Sequence, residues 1–268
     1  MTGKEKGSTS IILAGTHGNE KCGIEALKKI IPNLKIERGN VLFGYGNPLA
    51  IKANKRYTET NLNRMFKDIE SFSVQEKESY EYKRAQFLKI YLNQADALLD
   101  IHASSTLNSK PFIICEANAR GIVGYLPVDL IVSGFDKVEP GGTDYYMNNM
   151  GKIGICVECG YLGSAQSKQA AEESVFAFLS ARKHIPRGIT RKKQSYIHIY
   201  NLYLTKTNSF TLSKSFDDFE EISKNQVIGT DGEKEIRAEK DGVILFARNR
   251  EKIGEEAFLV GENKKVLA

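Results

Sequence analysis

His17 and Glu20 lie three positions apart in Gly15-Thr16-His17-Gly18-Asn19-Glu20. An imidazole and a carboxylate at that spacing can close on a single ion. Gly15 and Gly18 let the backbone bend tightly around them. A catalytic zinc takes about three protein ligands and leaves one position to water. The chain has four histidines, so the search for a third ligand is short. His184 and His198 stand in segments without other site chemistry. His102 stands in Ala97-Leu-Leu-Asp-Ile-His-Ala103, two positions after Asp100 and on the same face of a strand. Asp100 is placed to hold the ring of a metal-binding His102. Each pair alone has a bland reading, since H-x-x-E and D-x-H both arise by chance. Their joint placement at two strand ends singles them out.

The elements that must position these residues follow from the pattern. Ser10 to Gly15 is an apolar run that reads as a buried strand, and residues 22–31 read as a helix stopped by Pro32 and Asn33. His17 and Glu20 thus fall at a strand-to-helix corner, where α/β proteins place ligands. Asn40 to Gly46 predicts a second strand running into an Asn47-Pro48 turn. Residues 51–65 form a polar loop with no clean period, and loops of this length in compact domains are usually functional. It carries Arg56, Asn61, Asn63 and Arg64. Arginine pairs with carboxylate at two points, so the loop reads as a carboxylate-binding surface or, alternatively, as a solvated loop. Residues 73–93 have a helical pattern. Short strands follow at 112–115 and 130–133, and Pro140 to Tyr146 reads as a loop. Gly154-Ile-Cys-Val-Glu158-Cys-Gly160 is a buried strand with a carboxylate at its end. Glu158 there is costly to bury unless paired or used. It suits a general base and acid, or it is exposed where the strand ends. Cys156 and Cys159 form a C-x-x-C, but a redox pair would open a helix and no second pair completes a zinc site. Residues 167–183 predict a helix with Ala171, Val175, Phe178 and Leu179 on its apolar face.

The chain has 268 residues, is 41% hydrophobic and carries a net charge of +5, which allows a real core and one or two domains. Its class is α/β. After His184-Ile-Pro186 the pattern changes to short alternating runs with Asp-Gly turns. This predicts a catalytic domain over residues 1–186 and a small all-β domain over 187–268. No apolar run reaches about 18 residues, so no membrane span is expected. A polar N-terminus without an apolar stretch and four irregularly spaced cysteines point to the cytoplasm. The basic residues are scattered, apart from Arg187 to Lys193, which reads as a linker. Nucleic-acid binding wants a basic face with aromatics and is not expected. A positive site for an anionic small molecule is. The sequence leaves the oligomeric state open and is compatible with a homo-oligomer.

Gly15-Thr-His-Gly-Asn-Glu20, Asn47-Pro48, Asn61-Leu-Asn-Arg64, Asp100-Ile-His102 and Val157-Glu-Cys-Gly160, in that order, resemble the succinylglutamate desuccinylase/aspartoacylase family of zinc carboxypeptidase-like hydrolases. The resemblance covers nearly the whole chain. It implies a mixed sheet flanked by helices, followed by a β-rich region. It implies one Zn2+ per chain held by His17, Glu20 and His102, with Glu158 as catalytic base and acid. It also matches Arg56, Asn63 and Arg64 to substrate-contacting positions, with Arg56 stabilising the oxyanion. Aspartoacylases carry a further arginine upstream of the catalytic glutamate, and the matching stretch here, Tyr145 to Gly151, holds none. The expected activity is zinc-dependent hydrolysis of the amide of a small N-acyl amino acid. Two readings stand beside it: a zinc carboxypeptidase acting on peptides or cell-wall peptides, and a binding protein with a catalytically degenerate site.

Overall fold

The structure, a computed structural model, describes residues 1–266. Its strands are β1 (Glu5–Ala14), β2 (Arg38–Tyr45), β3 (Ala97–Ser104), β4 (Phe112–Cys115), β5 (Leu130–Ser133), β6 (Ile153–Tyr161), β7 (Ser195–Leu204), β8 (Phe210–Leu212), β9 (Glu220–Ile222), β10 (Val227–Asp231), β11 (Lys234–Arg237), β12 (Gly242–Leu245) and β13 (Glu256–Lys264). Ten of them form one mixed sheet in the order β2-β1-β3-β6-β4-β5-β7-β13-β12-β9. The other three, β11-β10-β8, form a separate antiparallel sheet.

The central strands are apolar on both faces, as strands covered on both sides must be. Ile12, Ala14, Leu99, Ile101, Ile155 and Val157 point to one face and meet the helices Cys22–Ile30 and Ala165–Ala181. Ile11, Leu13 and Leu98 point to the other and meet Leu62, Phe66, Leu88, Leu92 and Met147. Alternation along β3 sends Asp100 and His102 to this second face. β3 and β6 run parallel, with Asp100 opposite Cys156 and His102 opposite Glu158.

Several local expectations change. β1 begins at Glu5, not Ser10, because its polar start pairs with β2 and Arg38 Nη2 donates to Glu5 at 2.7 Å. Asn47-Pro48 does not turn the chain. Pro48 opens a short helix, Pro48–Ala53, which Asn47 caps by accepting from the Ala50 amide at 3.1 Å. Residues 51–65 are therefore irregular only beyond Ala53, apart from one tight turn at Leu62–Arg64. The helix expected over 73–93 is two, Val74–Glu78 and Tyr80–Leu92, broken at an extended Ser79 whose hydroxyl caps the second. The loop expected at 140–146 runs into a helix, Thr143–Asn149.

The chain passes residue 187 between helix Ala165–Ala181 and β7. β7 then pairs in parallel with β5, from Leu130 opposite Ser195 to Ser133 opposite His198. Hydrogen bonding thus runs without a break from the first half of the chain into β7, β13, β12 and β9. All four cysteines are free and buried. Among the described residues no helix is long and apolar enough to cross a membrane.

Candidate active site

β1 ends at Ala14, and Gly15 takes a φ of +67°, a left-handed conformation that turns the chain across the sheet end. Gly18 lies against the backbone of Ala50, where a Cβ would come within 2.1 Å of the carbonyl carbon. That close approach lets the Gly18 amide donate to the Arg56 carbonyl at 3.2 Å. The corner carrying His17 and Glu20 is thereby tied to the loop carrying Arg56.

His17, Glu20 and His102 meet there, all buried. His17 Nδ1 lies 2.8 Å from Glu20 Oε1, and His102 Nδ1 lies 3.0 Å from Glu20 Oε2. The two Nδ1 atoms are 3.2 Å apart. The outer ring nitrogens are engaged elsewhere. His17 Nε2 is 3.0 Å from Asn61 Oδ1, an acceptor only. His102 Nε2 lies 3.2 Å from Asp100 Oδ2, within ion-pair range although off the line of a good hydrogen bond. Acceptors outside place the protons on Nε2, so both Nδ1 atoms present lone pairs inward to a carboxylate. Three acceptors converging in a buried space call for a cation. Bonds of about 2.0–2.1 Å at tetrahedral angles would set such donors roughly 3.3 Å apart, close to the distances seen. The donor set fits a divalent metal, and carboxylate and amide partners behind the ligands are what metal-binding imidazoles require.

The charges agree. Burial, with Arg56 nearby, lowers the His17 pKa to about 4, so its ring is neutral at neutral pH and able to ligate. Burial pushes Glu20 up, but His17 and His102 outweigh it and hold the carboxyl well below its ordinary range. Asp100 is fully buried, and hydroxyl donors from Thr16 and Thr143 reach it at 2.9 and 2.7 Å. With the neighbouring His102, these donors overcome burial and keep Asp100 ionised.

Glu158 sits beside His102 on the next strand, lining a cavity of about 350 Å³ that also contains the three candidate ligands. Its Oε2 is buried and has no hydrogen-bond partner among the described residues. Burial, then the charge of Glu20, raises its pKa to about 8, against the pull of His102 and Arg56. It is not an exposed strand end.

Arg56, Asn63 and Arg64 also line the cavity. Arg56 donates to Glu20 at 3.1 Å and is otherwise accessible. Asn63 Oδ1 accepts from the Thr143 amide at 3.2 Å. Arg64 is differently placed. Its guanidinium pairs with Glu256 at 2.8 Å and with Glu139, and donates to the Asn63 carbonyl at 2.7 Å. Tyr145 lines the cavity, whereas Tyr146 packs on Phe66 and donates to Asn93.

Three contributions lie beyond what spacing in the sequence conveys, although the sequence singles out Asn61 within its loop. Asn61 orients His17. Glu81, buried at the start of helix Tyr80–Leu92, accepts from the Thr58, Glu59 and Thr60 amides, the Thr58 hydroxyl and Asn47. It thereby holds the loop that carries Arg56. Phe246, Arg248, Arg250 and Glu256, far along the chain, wall the cavity. Only the tertiary pairing of β13 and β12 with the sheet brings them there.

Residues 6–182 match the family model of the succinylglutamate desuccinylase/aspartoacylase catalytic domain. The chain belongs to this family. A Nostoc sp. protein named "Probable aspartoacylase" is 26% identical over 213 residues, 70% of this chain and 69% of that one. A succinylglutamate desuccinylase of a Shewanella species is 25% identical over 288 residues, 94% of this chain and 81% of that one. The crystal structure of the Vibrio cholerae succinylglutamate desuccinylase has the same fold, with a TM-score of 0.80 at 19% identity over 96% of this chain and 82% of that one. A Rattus norvegicus protein named "N-acyl-aromatic-L-amino acid amidohydrolase (carboxylate-forming)" is 31% identical over 166 residues, 56% of this chain and 52% of that one.

Proposed function

We propose that this chain hydrolyses the amide bond of a small N-acyl amino acid with one zinc held by His17, Glu20 and His102. The observation that carries the reading is the meeting, in one small cavity, of three inward-facing ligand atoms and the unpartnered Glu158 Oε2. The names of the Nostoc and Shewanella relatives support the same substrate class. When bound, zinc supplies Lewis acidity, lowering the pKa of water toward about 7 and polarising an acyl carbonyl.

The chain's residues do the rest. In its ionised form, which a cation bound beside it would favour, Glu158 takes the proton from the attacking water on Oε2 and returns it to the departing amine. Its burial keeps that proton from solvent. Arg56, beside Glu20, stabilises the negative charge that develops on the acyl oxygen. Asp100 and Asn61 fix the two imidazole rings. Asn63 contributes a hydrogen-bonding side chain to the cavity wall. Arg64, tied to Glu139 and Glu256, braces the Asn63 turn against β13, so substrate reaches it only if those pairs yield. A cavity near 350 Å³ suits a small molecule, and the walls from residues 246–256 favour this over an extended peptide.

Metal analysis of purified protein, with an amine-release screen of N-acyl amino acids with and without chelator, tests the reading. The expected result is about one zinc per chain and chelator-sensitive release. His17→Ala and His102→Ala should lose both metal and activity. Glu158→Gln should keep the metal and lose about 10²- to 10⁴-fold in rate. Wild-type rates in Glu158→Gln would sink the assignment. Zinc without release from any small substrate would point to peptides instead.

A further inference from the structure

Four arginines line the cavity: Arg56, Arg64, Arg248 and Arg250. Three are engaged. Arg56 pairs with Glu20, Arg64 with Glu139 and Glu256, and Arg250 Nε donates to the Glu256 carbonyl at 2.7 Å. Among the described residues, nothing hydrogen-bonds the Arg248 guanidinium and no carboxylate lies within ion-pair distance of it. The nearby acids are otherwise occupied or reserved. Asp218 accepts from Ser104, Thr106 and the Phe246 amide, and Glu158 is the candidate base. Arg248 is half-buried, so its guanidinium is partly shielded from bulk water with no protein partner, an arrangement that costs stability. Arg56 and Arg250 add like charge on the same wall, raising the cost further. Its backbone is fixed, since the Arg248 amide donates to the Ala257 carbonyl at 2.9 Å and so ties to β13. A rigidly mounted, unpartnered, planar fork in a ligand-sized cavity suits a carboxylate.

We propose that Arg248 is the specificity residue that anchors the carboxylate of the amino-acid half of the substrate. The amino-acid half is the one assigned because every N-acyl amino acid carries a carboxylate there, whereas its acyl group need not, and Arg248 stands within the field of both Arg56 and Glu158. The inference rests on the deacylase reading and adds Arg248 to the cavity's carboxylate-binding groups.

The test uses the zinc-loaded full chain, one N-acetyl amino acid chosen as the best substrate, and its C-terminal amide. Hydrolysis and calorimetric binding are both measured for wild type, Arg248→Met and Arg248→Lys. Wild type should prefer the acid. Arg248→Met should raise KM for the acid about 10- to 100-fold, the loss of one charged hydrogen-bonded pair. Its kcat should change little, and its handling of the amide not at all. Arg248→Lys should recover part of the loss, because it restores the charge but not the fork. An unchanged KM for the acid, or equal losses on acid and amide, would overturn the inference while leaving the deacylase reading intact. If Arg248→Met does not fold, Arg248→Lys decides: a KM increase confined to the acid supports the anchor, and no change overturns it. A wild type that hydrolyses neither compound overturns the deacylase reading instead. Calorimetry with N-acetylglycine and its amide then decides Arg248: acid binding lost in Arg248→Met supports the anchor, and equal binding overturns it.

Discussion

Glu116, just after β4, is a half-buried acid beside a second one. Its Oε1 accepts from the Gly134 amide at 2.9 Å, and Asp136 stands nearby. Burial, then the charge of Asp136, raises its pKa from an ordinary 4.5 to about 7. The folded state thus binds a proton more tightly than the unfolded chain. Below about pH 4.5 both states are protonated and folding loses nothing. Between 4.5 and 7 stability falls as pH rises, and above 7 the whole cost is present. Glu116→Gln keeps the acceptor and removes the charge. It should stabilise the protein at pH 8 by about 1 kcal/mol after allowance for solvent screening, roughly 2–4 °C in Tm, and do nothing at pH 4.5. Thermal melts at the two pH values check this, and an equal gain at both would show that the charge is not the cause.

At the scale of elements, the irregular stretch between Ala53 and Leu62 has almost no regular hydrogen bonding of its own. It is ordered from outside, by the carboxylate of Glu81, which takes five hydrogen bonds from it and from Asn47. Those donors outweigh the cost of burying the charge and hold the Glu81 pKa below its ordinary value. Glu81→Ala would leave the buried Asn47 side chain and the loop amides without their acceptor and release the Arg56 loop. The expected loss is about 3 kcal/mol in a urea titration. Catalytic rate should fall although Glu81 lies outside the cavity, and zinc content should persist because His17, Glu20 and His102 sit on other elements. Unchanged stability would mean that the loop has another anchor.

For the molecule as a whole, the decisive feature is that the last third of the chain joins the central sheet. β7 covers the edge of β5, and Ile197, Ile199, Val243, Leu245 and Leu259 complete a core with Phe112, Val132 and Phe135. Residues 1–186 alone would expose that edge and half of that core, an invitation to edge-to-edge association. We expect such a fragment to aggregate, and to lack the wall that carries Arg248 and Glu256. Soluble, monomeric behaviour in size-exclusion chromatography would argue for an independent first domain instead.

The sequence by itself determined which residues make the candidate site. His17, Glu20, His102, Asp100 and Glu158 were legible because each lies at the end of an apolar run, and side-chain alternation places such residues at the rim of a sheet whatever the later packing. The α/β class and the first helix followed from the same local periodicity. Tertiary structure decided what periodicity cannot reach. The helices at Pro48 and Thr143 are short and lean on packing, so no pattern announced them. Glu81 looked like one more charge on a polar helix until a loop folded onto it. Arg64 read as a substrate arginine until Glu256, from a strand nearly two hundred residues away in sequence, took its guanidinium. No local pattern marked Arg248. Strand order, which brings β13 and β12 over the site, is set by long-range burial, and single-sequence spacing carries no record of it.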